Sequence, residues 1–494
     1  MENIIGECSR DLISARLISS SSVLIRFLAA LQGKPFVIFT GLSGSGKTKL
    51  SQAIARWITE KIEVNDPFYQ GAKIKSSSIT YHVKESNPRF VEFLNSEDED
   101  TATRVALTRD IIQEWVDVIK ENDYNRSTKL DEIKREAISK SRYSANLHRF
   151  DTHLRAAAFA VIEGEPQILP QYEIISVGAD WTSKDHILGY PDALEPTKYV
   201  KTPALELILR AARDPQHPYF LILDEMNLSH VERYFADFLS AIESSEPIKL
   251  HSGPADRDGV PPMIERLPEN LYIIGTVNVD ETTYMFSPKV LDRANVIEFR
   301  VARSELESFL DDSRGIDLDQ LDGKGAEFGK WFVQQTKQEV SLPADVQARL
   351  REELLLFFDV FAHHGAEFGF RTAKEISRFI YFHQQLTGDN WRFEDAMDAQ
   401  IMQKLLPKLH GSRKSLEGVL HSLAVLCHSR REWDDEDARL ANGESLLQEA
   451  LQPTSFAEGE FPPVDDALYP LSYQKIVRMC KALDQNGFTS FAEA

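Results

Sequence analysis

The chain has 494 residues, of which 42% are hydrophobic and 27% charged. That is the make-up of a folded, water-soluble protein with room for roughly two to four domain-sized units, and it excludes a disordered chain. The formal net charge of −21 argues against large-scale non-specific binding to nucleic acid, while a local basic patch or a basic partner stays compatible with it.

Residues 1–33 read as helical, because Leu12, Ala15, Leu17, Val23, Leu24 and Phe27 fall on one apolar face. Pro35-Phe-Val-Ile-Phe-Thr40 reads as a short buried strand, and Lys49–Ile58 as a helix. Residues 60–90 have mixed β character without a clear period. Ser96-Glu-Asp-Glu-Asp100 reads as a solvated acidic loop or helix start. Residues 101–165 read as mostly helical, through Ile111, Ile112, Trp115, Val116, Val118 and Ile119. The basic stretch within them (Lys134, Arg135, Lys140, Arg142, His148, Arg149 and Arg155) reads as a solvated helix face. The alternative is an inserted element that touches a partner or nucleic acid.

Further strands are expected at Tyr172–Val177, Pro218–Leu223 and Leu271–Thr276, and helices at Pro203–Ala212 and Val231–Glu243. Pro247–Arg266 resembles a hairpin with a polar tip. Beyond about residue 303 the chain reads as mostly helical to its end. Strands alternating with helices up to about 300 argue for an α/β fold, a parallel sheet covered on both faces. Cys8, Cys427 and Cys480 lack metal-site spacing and suit a reducing cytoplasm better than a disulfide framework. No apolar run reaches the length of a membrane span, and the first residues lack the basic region of a secretory signal. A cytoplasmic location is expected. His363-His364 lacks partners at helical spacing and reads as a partly exposed pair on a helix, not a metal site.

The chemistry is concentrated in a few ordered segments. Gly41-Leu-Ser-Gly-Ser-Gly-Lys-Thr48 fits G-x-x-x-x-G-K-[ST] at every fixed position, between a strand and a helix. In such a loop Gly41, Leu42, Ser43, Gly44, Ser45 and Gly46 wrap closely around a phosphate chain, with backbone amides aimed at the anion. Lys47 would neutralise the β- and γ-phosphates, and Thr48 would ligate Mg²⁺. Leu221-Ile-Leu-Asp-Glu225 closes an apolar strand with two carboxylates. Asp224 is placed to hold the metal through water, and Glu225 to orient and polarise an attacking water; the bland alternative is strand-end carboxylates that cap the next helix.

Gly275-Thr-Val-Asn278 ends another apolar strand, where Asn278 can touch both the γ-phosphate and the water. An ordinary turn asparagine is the alternative. Arg293, in Leu291-Asp-Arg293, is a candidate to stabilise transition-state charge in a neighbouring subunit, against a local salt bridge with Asp292 or Glu298. Arg371, in Phe368-Gly-Phe-Arg-Thr-Ala-Lys-Glu-Ile376, opens a helix from which it can reach back to the nucleotide; Lys374 is the other candidate.

This ordered set resembles the AAA+ ATPases. The block Asp224-Glu-Met-Asn-Leu-Ser-His-Val-Glu-Arg-Tyr-Phe-Ala-Asp-Phe-Leu-Ser-Ala-Ile-Glu-Ser244 is similar specifically to the McrB family, the nucleotide-driven motor of modification-dependent restriction systems. Val177-Gly-Ala-Asp-Trp-Thr182, Leu188-Gly-Tyr190, Leu406-Pro-Lys-Leu-His-Gly-Ser-Arg413 and Tyr469-Pro-Leu-Ser-Tyr-Gln-Lys475 look like that family too. The likeness spans about 20–60 and 170–494 and leaves 65–165 as an insertion.

The resemblance implies a P-loop NTPase with a three-layer α/β core over 1–302, followed by an all-α lid and helical C-terminal region over 303–494. It implies Walker A at Lys47 and Thr48, Walker B at Asp224 and Glu225, and sensor 1 at Asn278. Arg293 would be the finger, Arg371 sensor 2, and the 247–266 hairpin the one that precedes sensor 1. A homo-oligomeric ring, naturally a hexamer, and a McrC-like stimulator and nuclease partner follow from it. Val277-Asn-Val-Asp-Glu-Thr-Thr283 keeps the asparagine but departs from the family's Met-Asn-x-x-Asp-Arg-Ser. With no guanine-reading motif visible, ATP is favoured over the GTP that family is known for. The motor elements begin almost at Met1, so any DNA recognition is expected in the insertion, the C-terminal region or another polypeptide. A protein-remodelling ATPase of the MoxR or dynein-related kind with no DNA role, and a slow-hydrolysing nucleotide switch, are the rival readings.

Overall fold

The computed structural model describes residues 4–60 except 18, the segments 62–64, 73–76, 79–86, 90–94 and 104–108, residues 112 and 116, and 167–492 apart from 196–197, 254–255, 258, 280–283, 285, 302, 312–314, 429–435 and 452–466. At its centre is a five-stranded sheet of β1 (Phe36–Gly41), β2 (Tyr172–Ser176), β3 (Tyr219–Asp224), β4 (Leu271–Asn278) and β5 (Asn295–Glu298). The strands lie in the order β5-β1-β4-β3-β2, and every pairing is parallel. All six residues of β1 and all eight of β4 are buried. That burial is why both segments read as unbroken apolar runs and not as alternating ones.

Successive side chains of each strand enter opposite layers. Val37, Phe39, Phe220, Ile222, Tyr272 and Ile274 pack with α2 (Ser21–Gly33), α3 (Lys47–Ile58) and the helical half of the chain. Phe36, Ile38, Leu221, Leu223, Ile273 and Val277 pack with α4 (Pro203–Arg213) and α5 (Ala236–Ser244). Helices therefore cover both faces of the sheet. The preceding helix, α1 (Ile4–Ser14), adds Ile4, Cys8 and Leu12 to the first layer.

Three expectations change. The strand β5 carries only two apolar residues, Val296 and Ile297, too short a signal to stand out, yet it forms an edge of the sheet. The single helix expected over Val231–Glu243 is two, Val231–Tyr234 and α5, separated at Phe235. The insertion is not mostly helical where it is described. Ile62–Val64 pairs with Gln167–Leu169, and Lys73–Ser76, Ile79–Ser86, Phe90–Leu94 and Arg104–Thr108 form a four-stranded antiparallel sheet. Its register sets Val91 opposite Leu107 and Phe93 opposite Val105, so 104–108 is a strand where a helix was expected from 101. Ile112 and Val116 are helical and buried. The acidic run 96–100 and the basic stretch from Lys134 to Arg155 lie outside the described residues.

The later part of the chain is helical as expected, in α6 (Arg303–Asp311), α7 (Gly329–Thr336), α8 (Ala344–His363), α9 (Phe370–Thr387), α10 (Phe393–Gln400), α11 (Arg413–Cys427), α12 (Glu436–Leu451) and α13 (Pro470–Asn486). The helix α9 lies on α2. Its Phe379 backbone stands where a Cβ on Gly33 would come within 3.6 Å. Arg378 fans out to the carbonyls of Gln32, Gly33, Thr336 and Gln338. A short antiparallel pair, His410–Ser412 with Phe488–Ser490, closes the C-terminal part. Among the described residues no helix is long and apolar enough to cross a membrane.

Candidate functional site

The sheet register brings the ends of β1, β4 and β3 to one edge. Gly41 stands opposite Asn278, and Leu223 opposite Gly275, so Asp224 and Glu225 follow at the level of Thr276 and Val277. The loop Leu42–Gly46 springs from β1 at this edge and runs into α3. Its backbone needs glycine. Gly44 and Gly46 have φ of 74° and 96°, a region where a side chain costs roughly 1–2 kcal/mol. A Cβ on Gly41 would stand 2.3 Å from the Phe299 carbonyl oxygen. The Lys47 ammonium is buried across the loop and donates to the carbonyls of Gly41 (2.9 Å) and Leu42 (2.6 Å) and to Ser45 Oγ (3.3 Å).

Five side chains meet beside this loop. Thr48 Oγ1 donates to Asp224 Oδ1 at 2.6 Å, and Thr276 Oγ1 donates to the same oxygen at 2.6 Å. The Glu225 amide donates to Thr276 Oγ1 at 3.1 Å, and Asn278 Nδ2 donates to Glu225 Oε1 at 3.3 Å. Asn227 Nδ2 in turn donates to the Asn278 carbonyl at 3.0 Å. Glu225 leaves β3 in the left-handed region, at φ 55° and ψ 47°. That turn carries its carboxylate toward β4. A cavity of about 370 Å³ opens over the loop, lined by Gly41–Ser45, Val279, Phe299 and Arg300.

The predicted arginines lie elsewhere. Arg293 precedes β5, whose Asn295 is level with Val37. Val37 is four residues before the end of β1, which puts it ~13 Å from the loop along the strand. Arg293 pairs with Glu243 at the end of α5, not with Asp292 or Glu298. Arg371, at the start of α9, pairs with the same Glu243 and with Asp292, which also holds Lys408. The structure thus groups Arg371 with Arg293 at the far end of the sheet and does not bring it to the glycine loop. One turn along α9, Glu375 bridges Lys34 (2.6 Å) and Lys404 (2.5 Å). Lys374, the other candidate, lines a separate groove.

Charge explains how this far end is held. Burial pushes the carboxyls of Asp292 and Glu375 upward, but the cations around them prevail. Lys408, Arg371 and Lys404 leave Asp292 below its ordinary value, and Lys404 and Lys34 do the same to Glu375. Burial and the neighbouring Lys404 lower the Lys34 ammonium to about 7, against the pull of Glu375. Glu298, the other partner considered for Arg293, is taken by Lys475 (2.9 Å) and Arg478.

Sequence reasoning missed Thr276 and Glu243. Thr276 stood inside the Gly275-Thr-Val-Asn278 segment, and its hydroxyl at the end of an apolar strand was the available signal. Glu243 gave none, because its partners are brought to it by the fold. Residues 320–488 match the family model of a domain of unknown function, DUF8727, which begins within the helical half and ends at the last short strand. No curated protein matches the chain.

Proposed function

We propose that the chain is a nucleoside triphosphatase of the AAA+ type, acting on ATP and driving a partner as the McrB-like motors do. The observation that supports it most is the meeting of Thr48, Asp224, Glu225 and Asn278 beside a glycine loop at one edge of a parallel sheet. A single intervening strand, β4, puts Asn278 between the loop and the Asp-Glu pair.

Mg²⁺ suits this donor set. A hydroxyl and one carboxylate, completed by phosphate and water oxygens, is the usual way that ion is held. Thr48 would ligate it directly and Asp224 through water; when bound, it would neutralise charge on the β- and γ-phosphates. The loop amides and the Lys47 ammonium would bind the phosphate chain. Glu225 would take a proton from a water that Asn278 also orients. The water oxygen bonds to the γ-phosphorus in line with the bridging oxygen, and the bond to that oxygen breaks with its electrons leaving on ADP. Arg293 would act in the site of a neighbouring copy, since the end of the sheet that carries it is remote from its own loop.

Contacts between two different patches, repeated by rotation, close into a ring. In the McrB-like reading the ring drives a nuclease-bearing partner against foreign DNA. The test is phosphate release from ATP and from GTP, with and without DNA, for the native chain and Glu225→Gln. ATP turnover that falls by about 10²-fold or more in the variant, with nucleotide still bound, is expected. A preference for GTP overturns the nucleotide assignment, and equal turnover in both chains overturns the mechanism.

A further inference from the structure

The largest cavity among the described ones is remote from the phosphate loop. It is an open groove of about 990 Å³ between α8 and the start of α9, floored by Leu350, Leu354, Phe358 and Phe368. At its lip Phe370 is 97% exposed, and Leu355 is half exposed. Removing such side chains from water is favourable, and contiguous apolar surface of this kind marks a contact. A second apolar surface is also uncovered. The helix α6 turns Leu306, Phe309 and Leu310 to solvent at i, i+3 and i+4, with Leu310 68% exposed. That is the stripe by which a helix lies in a groove.

Their places in the fold relate the two. Phe370 adjoins Arg371, which shares Glu243 with Arg293, so the groove opens at the finger end of the molecule. The helix α6 begins three residues after Arg300, which lines the cavity over the phosphate loop. A junction that sets the arginine end of one copy against the loop end of the next therefore brings groove and stripe to the same junction. Charge agrees. In a chain of net charge −21, the groove is lined by Arg351, Lys374 and Arg378 against Glu339 and Glu367, while α6 carries Glu305, Glu307 and Asp311 against Arg303.

We propose that the groove between α8 and α9 receives α6 of a second copy of this chain, as the apolar part of the junction that completes the nucleotide site. The inference rests on the ring reading above. The contact is heterologous, tongue into groove, so each copy offers both halves and the series can close.

The test uses the full chain carrying Glu225→Gln, with ATP, and reads mass by sedimentation velocity. Leu310→Glu spoils the tongue and Phe370→Glu the groove. Both positions are exposed, and retained nucleotide binding shows that each variant is folded. The parent is expected to assemble, and either variant alone to run as a monomer. An equimolar mixture of the two is expected to give a dimer and nothing larger, because only one intact tongue and one intact groove remain per pair. Assembly of either variant like the parent, or a mixture that stays monomeric, overturns this contact. Loss of assembly in Phe370→Glu but not in Leu310→Glu assigns the groove another occupant and also overturns it. A parent that stays monomeric with ATP overturns the ring reading itself, and the contact falls with it; persistence of the assembly in both variants removes the contact alone.

Discussion

The two ends of the central sheet are both polar, yet they are built in opposite ways. At the loop end the partners are hydroxyls, an amide and carboxylates on α3, on β4 and at the end of β3, and the Lys47 ammonium donates to two carbonyls and to Ser45 Oγ. Each such bond from a charged donor is worth about 1.5–3 kcal/mol net, and in the proposed function a phosphate chain would compete with these oxygens for Lys47. At the far end charges are matched one to another. Arg293, Glu243, Arg371, Asp292 and Lys408 form one chain of ion pairs, and Lys34, Glu375 and Lys404 another. In the proposed function the first end is where nucleotide is loaded and released. The second fastens the helical half to the sheet and fixes where two arginines stand.

The largest break in this contrast should come from Arg293→Ala. Glu243 keeps Arg371 as a partner, so folding and nucleotide binding should survive, while ATP turnover in the assembled protein falls about 10³–10⁵-fold. Steady-state phosphate release checks it, and turnover unchanged within a few-fold would return Arg293 to a purely structural role. Glu375→Gln attacks the far end without touching the loop. It takes from the buried Lys34 and Lys404 the carboxylate that bridges them, and a loss of about 3 kcal/mol or more in unfolding free energy is expected from urea titration.

Acid should sharpen the same division. Asp292 and Glu375 bind protons less readily folded than unfolded, so they add stability above their ordinary values of 3.8 and 4.5. That stability is lost as pH falls through and below this range, because there the unfolded chain binds more protons. Urea midpoints from about pH 6 down to about pH 3 should fall, and the fall should be shallower in Glu375→Gln. The smallest effect is expected from Thr276→Val, which takes one donor from Asp224 and one acceptor from the Glu225 amide, at about 1 kcal/mol. Thermal unfolding reads it, and a loss as large as that of Glu375→Gln would mean the loop end is as tightly fastened as the other.

The contrast also decided what could be read from sequence. The loop end was legible because its residues sit at the ends of apolar runs, in one motif apiece, and a parallel sheet collects strand ends at one edge. The far end was not, since Arg371 meets Glu243 across 128 positions and Asp292 across 79. Periodicity has nothing to say about such pairs, so Arg371 was expected at the loop, and Arg293, a candidate finger toward a neighbouring subunit, had only Asp292 or Glu298 weighed as its local partners. The strand β5 escaped for a different reason, having too few residues to show a period. The strand at 104–108 escaped because five residues next to a helix-like pattern were absorbed into it.

Glu225 has one more consequence. A residue with a side chain at φ 55° gives up roughly 1–2 kcal/mol relative to glycine at the same position. Selection for heat resistance alone would therefore drift toward Glu225→Gly, a sturdier chain without the carboxylate. That a glutamate stands there sets durability against the proposed turnover at a single residue.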